Sequence, residues 1–225
     1  MTRNNGTCEV TSKDIRKVPG TRPRGRPPRS AEPVGDDDTL LAQAFDIFTQ
    51  WGYEATSLRD MARRMGVSHN LLPLRFGTKA EMWKRAVDLR VGQSSAASFA
   101  VLAQVDLPPQ ERIVKLIRTY CDTAAAHPEV TRLFAIEGIH ESWRLDHLVG
   151  TFVEPFRREL EALLQALARD GSKPVSAIAF MSLLVNGVGT YYAARPLAER
   201  LDTPAEGQEN IRDRFVAVLV KAATG

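Results

Sequence analysis

Apolar residues recur at helical spacing along most of the chain beyond residue 38, and no segment shows a convincing strand-like alternation. Over residues 39–51 the apolar set is Leu40, Leu41, Ala44, Phe45, Ile47, Phe48 and Trp51, which predicts a first helix capped by Asp38 or Thr39 and stopped by Gly52. After the turn at Tyr53-Glu54-Ala55, Thr56 or Ser57 can cap a second helix whose inner face is Leu58, Met61, Ala62 and Met65, with Gly66 ending it. Ser68 can cap a third, very short helix containing Leu71, Leu72 and Phe76. Thr78-Lys79-Ala80-Glu81 has the spacing of a capping box and opens a long fourth helix to about residue 105.

Helix follows helix from there. Asp106-Leu107-Pro108-Pro109 ends the fourth and opens the next, residues 112–126, which buries Ile113, Leu116, Ile117, Tyr120 and Cys121. His127-Pro128 breaks that helix and starts another over residues 129–138. Residues 143–168 form a long helix bent by Gly150 and Pro155. Residues 174–194 and about 206–223 complete an all-α fold of about nine helices. Residues 175–194 carry no charge, close to the ~20 residues of a membrane span, but Ser176, Ser182, Asn186, Gly187, Gly189 and Thr190 interrupt them. They read as a helix buried on most sides of a soluble protein with no membrane partner.

At 44% hydrophobic and 25% charged, the composition allows a full globular core. Two cysteines exclude a disulfide framework; Cys8 in a polar tail and Cys121 in an apolar helix point to a reducing, cytoplasmic setting. The first 35 residues lack the apolar run of a secretory signal. Net charge is only +3, but residues 1–35 hold eight Lys/Arg against three Asp/Glu, residues 39–90 eight against five, and residues 91–225 fourteen against sixteen. The positive first third suits a polyanionic partner.

Residues 1–35, rich in Pro, Arg, Gly, Ser and Thr, are expected to be a disordered basic arm. Within it, Gly25 lets the backbone approach a narrow groove, Arg22, Arg24 and Arg26 supply charge, and Pro23, Pro27 and Pro28 favour an extended chain. The Arg24-Gly25-Arg26-Pro27 core resembles an AT-hook, which implies contacts in the A/T-rich minor groove. The alternative is a solvated tail or linker.

Ala62, Gly66 and Leu72 have the spacing of a helix-turn-helix: the Ala permits close helix approach, the Gly the sharp turn, the Leu the packing of the second helix on the first. His69, Asn70 and Leu71 then stand at the start of the recognition helix. Phe48-x-x-x-Gly52-Tyr53-x-x-Thr56-Ser57, Met61-Ala62-x-x-x-Gly66-Val67-Ser68 and Phe76-Gly77-Thr78-Lys79 occur in order within residues 40–79. This stretch resembles the N-terminal domain of the TetR family of transcriptional repressors. The sequence departs from the family at Pro73, where Tyr is usual, and at Asn70, where Gly is usual. With Ser68 as cap, Pro73 is the fifth helical residue and is expected to kink the recognition helix. Asn70 suits a bidentate pair with adenine, Leu71 a thymine methyl, and Arg75 a phosphate or guanine; alternatively His69 and Asn70 only cap and solvate the helix. Thr56, Ser57, Ser68, Leu74, Thr78 and Lys79 complete the candidate DNA-binding set.

The resemblance continues more loosely through His127-Pro128-Glu129, Asp146-His147-Leu148, Asn186-Gly187 and Arg195-Pro196-Leu197. It implies three segments: the arm (1–35), a three-helix DNA-binding domain (36–84) and a larger helical ligand-binding and dimerisation domain (85–225). Residues 175–194 and the Ile211, Phe215, Val218, Leu219 face would form half of a four-helix dimer interface. Candidate ligand-binding residues are Phe99, Tyr120, Phe134, Glu137, Trp143, His147 and Phe152, with Phe156 beside them; ordinary core packing is the alternative for each. Glu137 suits a cationic ligand, or else sits at the surface beside Arg132 or Arg144. The small residues of 92–100 would leave room for a ligand if they face the bundle centre.

Nothing suggests an enzyme or a cofactor: there is no Gly-x-Ser-x-Gly elbow, Walker loop or Cys-x-x-Cys, and His127, His140 and His147 lack the pairing of metal ligands on one helical face. The expected function is a sequence-specific, homodimeric DNA-binding regulator, a repressor released from a palindromic operator on double-stranded DNA by a small-molecule effector. The alternative is an architectural protein binding A/T-rich DNA through the arm.

Overall fold

The computed structural model describes residues 35–168, 174–201 and 211–224. The expectations for the arm, including Arg22, Arg24, Gly25 and Arg26, lie outside them. Every regular element among the described residues is helical.

The first helix, α1 (Asp37–Trp51), is capped earlier than expected: the Asp36 carboxylate accepts from Thr39 N at 2.8 Å. The side-chain hydroxyl and the backbone N–H of Thr39 together hold the Asp36 carboxyl below its ordinary range. Gly52, at φ +81°, stops the helix. Ser57 caps α2 (Leu58–Arg64) by accepting from Asp60 N, and Gly66, at φ +70°, makes the sharp turn that few other residues allow.

The recognition helix corrects the sequence expectation. Ser68 is not its cap; α3 (Leu71–Phe76) begins three residues later, after a turn closed by Leu71 N donating to the Ser68 carbonyl. Pro73 is therefore the third helical residue, not the fifth. The N–H that proline lacks is one that an α-helix leaves unbonded in its first turn, so no kink is required. Leu74 N donates to the Asn70 carbonyl, and Gly77 N to that of Pro73.

The expected capping box opens α4 (Lys79–Leu102): Glu81 N donates to Thr78 Oγ1, and Thr78 N to Glu81 Oε2 at 2.7 Å. One end of α4 gives Met82, Trp83, Ala86 and Val87 to the core of α1–α3, where Phe45, Met61 and Leu72 are fully enclosed. Burying each such side chain is worth about 1.5–3 kcal/mol. Leu133 and Leu148, far along the chain, complete this core. The other end of α4 gives Val101 and Leu102 to a second core. Sequence position 84 thus falls inside α4, a single rod shared by both halves.

The second core is built from α5 (Pro109–Ala126), α8 (Glu154–Leu167), α9 (Ala177–Ser182) and α12 (Ile211–Thr224), with α6 (Pro128–Glu137) beside them. α7 (Trp143–Leu148) runs into α8 through a π-helical turn at Val149–Val153, where the sequence predicts a bend. Pro155 has no N–H for the carbonyl of Thr151 and would crowd it; Glu154 N instead reaches back five residues to Val149 O. A second π-helical turn, Leu183–Gly189, joins α9 to α10 (Thr190–Ala193). The described residues hold ten rods where about nine are expected. The additional one is α11 (Arg195–Leu201), separated from α10 by Ala194 at φ −103°, ψ 35° and accommodating Pro196 in its first turn. No helix among the described residues is long and apolar enough to cross a membrane.

A helix-turn-helix head and a cavity joined by one helix

The candidate DNA-facing residues fall into two groups. Ser68, His69, Asn70 and Leu74 are exposed around the turn and start of α3, with Leu74 84% exposed. Asn70 makes no side-chain cap bond to α3 and is exposed. Leu71, by contrast, is half-buried against the core of the head, so the apolar side chain offered to a groove is Leu74. The other predicted residues have internal tasks. Thr56 is buried and its hydroxyl donates to the Gly52 carbonyl at 2.7 Å. Ser57 caps α2, and Thr78 caps α4. Lys79 Nζ donates to the Tyr53 carbonyl at 3.0 Å and lies over the Tyr53 ring at 4.0 Å.

Arg75 is held rather than free. Its Nη1 donates to the Gly35 carbonyl at 3.0 Å and contacts Asp37 Oδ1 at 3.4 Å, while Arg85 reaches the other oxygen of Asp37 at 3.3 Å. α3 is thereby tied to the start of α1. Sequence reasoning passed over Arg59 and Arg63 on α2, which line a groove with Val67, Ser68 and His69. Their signal was available: two basic side chains at i and i+4 on the polar face of the first helix of the motif.

A cavity of about 370 Å³ lies between α4, α5, α6 and both π-helical turns. Of the predicted ligand residues, Phe99, Tyr120, Phe134 and Phe152 line it, as does Phe156. The small stretch of α4 faces it through Ser94, Ser95 and Ser98. Thr131 and Asn186, neither of them expected from the sequence as a ligand residue, also line it. The hydroxyls of Tyr120 and Thr131 lie side by side, and burial pushes the Tyr120 phenol up to about 12. Gly189 closes over this pair: a Cβ there would sit 3.0 Å from both Tyr120 Oη and Thr131 Oγ1.

Glu137, Trp143 and His147 do not line this cavity. They form the seam between α6–α7 and the head. Glu137 is buried and accepts from Arg144 Nε at 2.8 Å, so the expected partner is right and the surface position is not. Arg144 also donates to Glu54 at 3.0 Å and stacks 4.6 Å from the Tyr53 ring centre. Trp143 packs edge-on against Trp83 and Tyr53, and His147 Nε2 meets Asp88 Oδ1 at 2.7 Å. Hydrophobicity and helical spacing gave no means of separating a seam from a pocket.

Residues 40–86 match the family model described as bacterial regulatory proteins, tetR family. The HTH-type transcriptional repressor BdcR of Escherichia coli (strain K12) is 28% identical over 131 residues, 58% of this chain and 60% of that protein. An HTH-type transcriptional regulator of Bacillus subtilis (strain 168), YezE, is 30% identical over 73 residues, 32% of this chain and 36% of that one. The chain therefore spans between about a third and three fifths of these curated relatives. Among solved structures, a TetR-like transcriptional regulator from Rhodococcus sp. RHA1 superposes with a TM-score of 0.62 at 18% identity, over 82% of this chain and 91% of that chain. The TetR family regulator PfmR from Thermus thermophilus gives 0.62 at 19% identity, over 85% and 97%. The head over residues 40–86 thus matches the tetR-family model, on a chain whose fold is similar to that of TetR-like regulators.

Proposed function

We propose that this protein is a sequence-specific DNA-binding transcriptional repressor that acts as a homodimer on a two-fold symmetric operator and is released by a small molecule. One observation carries the reading: α4 is anchored in the head through Thr78, Met82 and Trp83 and lines the cavity with Ser94, Ser98 and Phe99, so a single rod touches both sites. A ligand that fits the cavity in only one position of α4 would bias the spacing of two recognition helices, by no more than its differential affinity for the two states.

A second copy of this chain is the partner that suits the outer face of α9–α10. Ala179, Leu183, Gly187 and Thr190 are exposed there without a charge, in a protein that is 25% charged, while Ile178, Ser182 and Asn186, exposed as well, edge the cavity where it opens beside this face. α12 packs beside this helix and adds exposed Ala217 and Val218. Leu183 and Val218, 52% and 65% exposed, are not part of either core. Replacing both with Asp is expected to give a monomer with unchanged helix content and at least about 100-fold weaker binding to a symmetric operator, because the two half-sites no longer bind as one. A variant that stays dimeric, or binds as tightly as the parent, refutes the assigned interface.

A further inference from the structure

The charges around the cavity narrow what it can hold. Phe99, Phe134, Phe152 and Phe156 form much of its wall, and no carboxylate among the described residues lines it. The guanidinium that does, Arg157, is fully engaged: Nε and Nη2 donate to the two oxygens of Glu154 at 2.8 and 2.7 Å, and Nη1 to Glu161 at 2.6 Å. The bonds to Arg157 hold the Glu154 carboxyl below its ordinary range, so it stays ionised. Arg158 Nε also lies 3.7 Å from Glu154, so the charges of this corner balance one another, and an incoming anion meets no free cation among the described residues of the wall. The other basic side chain on the wall, His127, has Nδ1 3.4 Å from Glu129, which already receives Arg90 at 2.8 Å. A cationic ligand finds no acceptor of opposite charge on the wall either. Desolvating an ion without such a partner is costly. What the wall does offer is hydroxyls, and two of them, those of Tyr120 and Thr131, sit side by side beneath Gly189.

We propose that the cavity takes an uncharged, largely apolar molecule of roughly a dozen non-hydrogen atoms, at ~30 Å³ each, with one hydroxyl- or carbonyl-type group meeting Tyr120 and Thr131. It discriminates against carboxylates and amines of the same size. This rests on the cavity being the effector site proposed above.

Calorimetric titration of the full chain with decanol, decanoate and decylamine tests the charge preference. Decanol is expected to bind, with decanoate and decylamine weaker by at least about tenfold, a difference of about 1.4 kcal/mol. Tyr120→Phe, which keeps the ring and its packing, is expected to weaken decanol several-fold while thermal melting stays near that of the parent. Equal or tighter binding of decanoate or decylamine overturns the proposal, as does binding of none of the three. An unchanged decanol affinity in Y120F overturns the assigned hydrogen-bonding end. Operator release is followed in the same samples by fluorescence anisotropy. Decanol binding without release removes the effector role and leaves the ligand class standing.

Discussion

Arg144 donates from Nε to the buried carboxylate of Glu137 at 2.8 Å, and the same guanidinium reaches Glu54 of the head at 3.0 Å. Only 5% of the Glu137 side chain and 11% of the Arg144 side chain are exposed, so both charges are largely out of water and each depends on the other. The pair spans the loop from α6 to α7 and, with Trp143 against Trp83 and His147 against Asp88, fastens the cavity-bearing half to the head beside α4. Any movement of α4 that reaches the recognition helices must be accommodated at this seam.

Glu137→Ala leaves the largely buried Arg144 guanidinium with only the exposed Glu54 for a counter-charge. Removing one member of a buried pair costs about 3–5 kcal/mol, whereas replacing both with apolar residues of similar volume is close to neutral. Urea unfolding should therefore show a large loss for E137A and a much smaller one for the double variant E137L/R144M. Equal losses in the two would mean that the charge pair is not what holds the seam.

Leu74, not Arg75, is the side chain of this pair that is free to meet bases, since Arg75 is bound to Gly35 and Asp37. An exposed leucine on a recognition helix suits the thymine methyl. Replacing thymine by uracil at the contacted position should weaken binding about fourfold, from the ~0.8 kcal/mol of one buried methyl-sized group. In Leu74→Ala the same DNA change should have no effect. Sensitivity to uracil that persists in L74A contradicts this placement.

Pro73 stands in the first turn of α3, where its missing N–H removes no helical bond. Pro73→Ala should shift stability by less than about 1 kcal/mol, whereas relief of a proline in a helix interior would gain ~3 kcal/mol. Thermal or urea unfolding separates the two outcomes.

Burial raises the Cys121 thiol from its ordinary 9.0 to about 11 and the Tyr120 phenol from 10.0 to about 12. In both cases the folded chain holds its proton more tightly than the unfolded chain. The stability this contributes is present in full below the unfolded values and is lost as pH rises through the folded ones. Urea midpoints should fall between about pH 9 and pH 12, and Cys121→Ala should soften the first part of that fall. A flat midpoint across the range contradicts the burial of both groups.

The head was legible because its signals are local. Gly52 and Gly66 mark turns that need positive φ, and Thr78 with Glu81 fixes a helix start within four residues. The serine-rich stretch of α4 and five of the wall's aromatic side chains followed from periodicity, since a helix that buries one face must place them inward. The remainder depends on contacts between distant residues. Nothing within a few positions of Arg75 reveals that Asp37 waits for it, and nothing near Glu137 distinguishes a partner at Arg144 from a ligand. The start of α3 was misplaced because Ser68 is a good cap by composition. The chain instead spends Ser68, His69 and Asn70 on a turn, as the carbonyl of Ser68 accepting from Leu71 N makes plain. Pro155 and Gly150 announced a bend, but not that it would be a π-helical turn beside the cavity.

The central claim, that the helix-turn-helix reads DNA as half of a symmetric dimer, is tested most directly by selecting bound duplexes from a random pool with the full chain at one fixed salt concentration, about 150 mM. The expected result is enrichment of a two-fold symmetric site whose half-sites lose enrichment when Asn70 and Leu74 are replaced by Ala. Enrichment of A/T runs without symmetry, unaffected by those two substitutions, would contradict it.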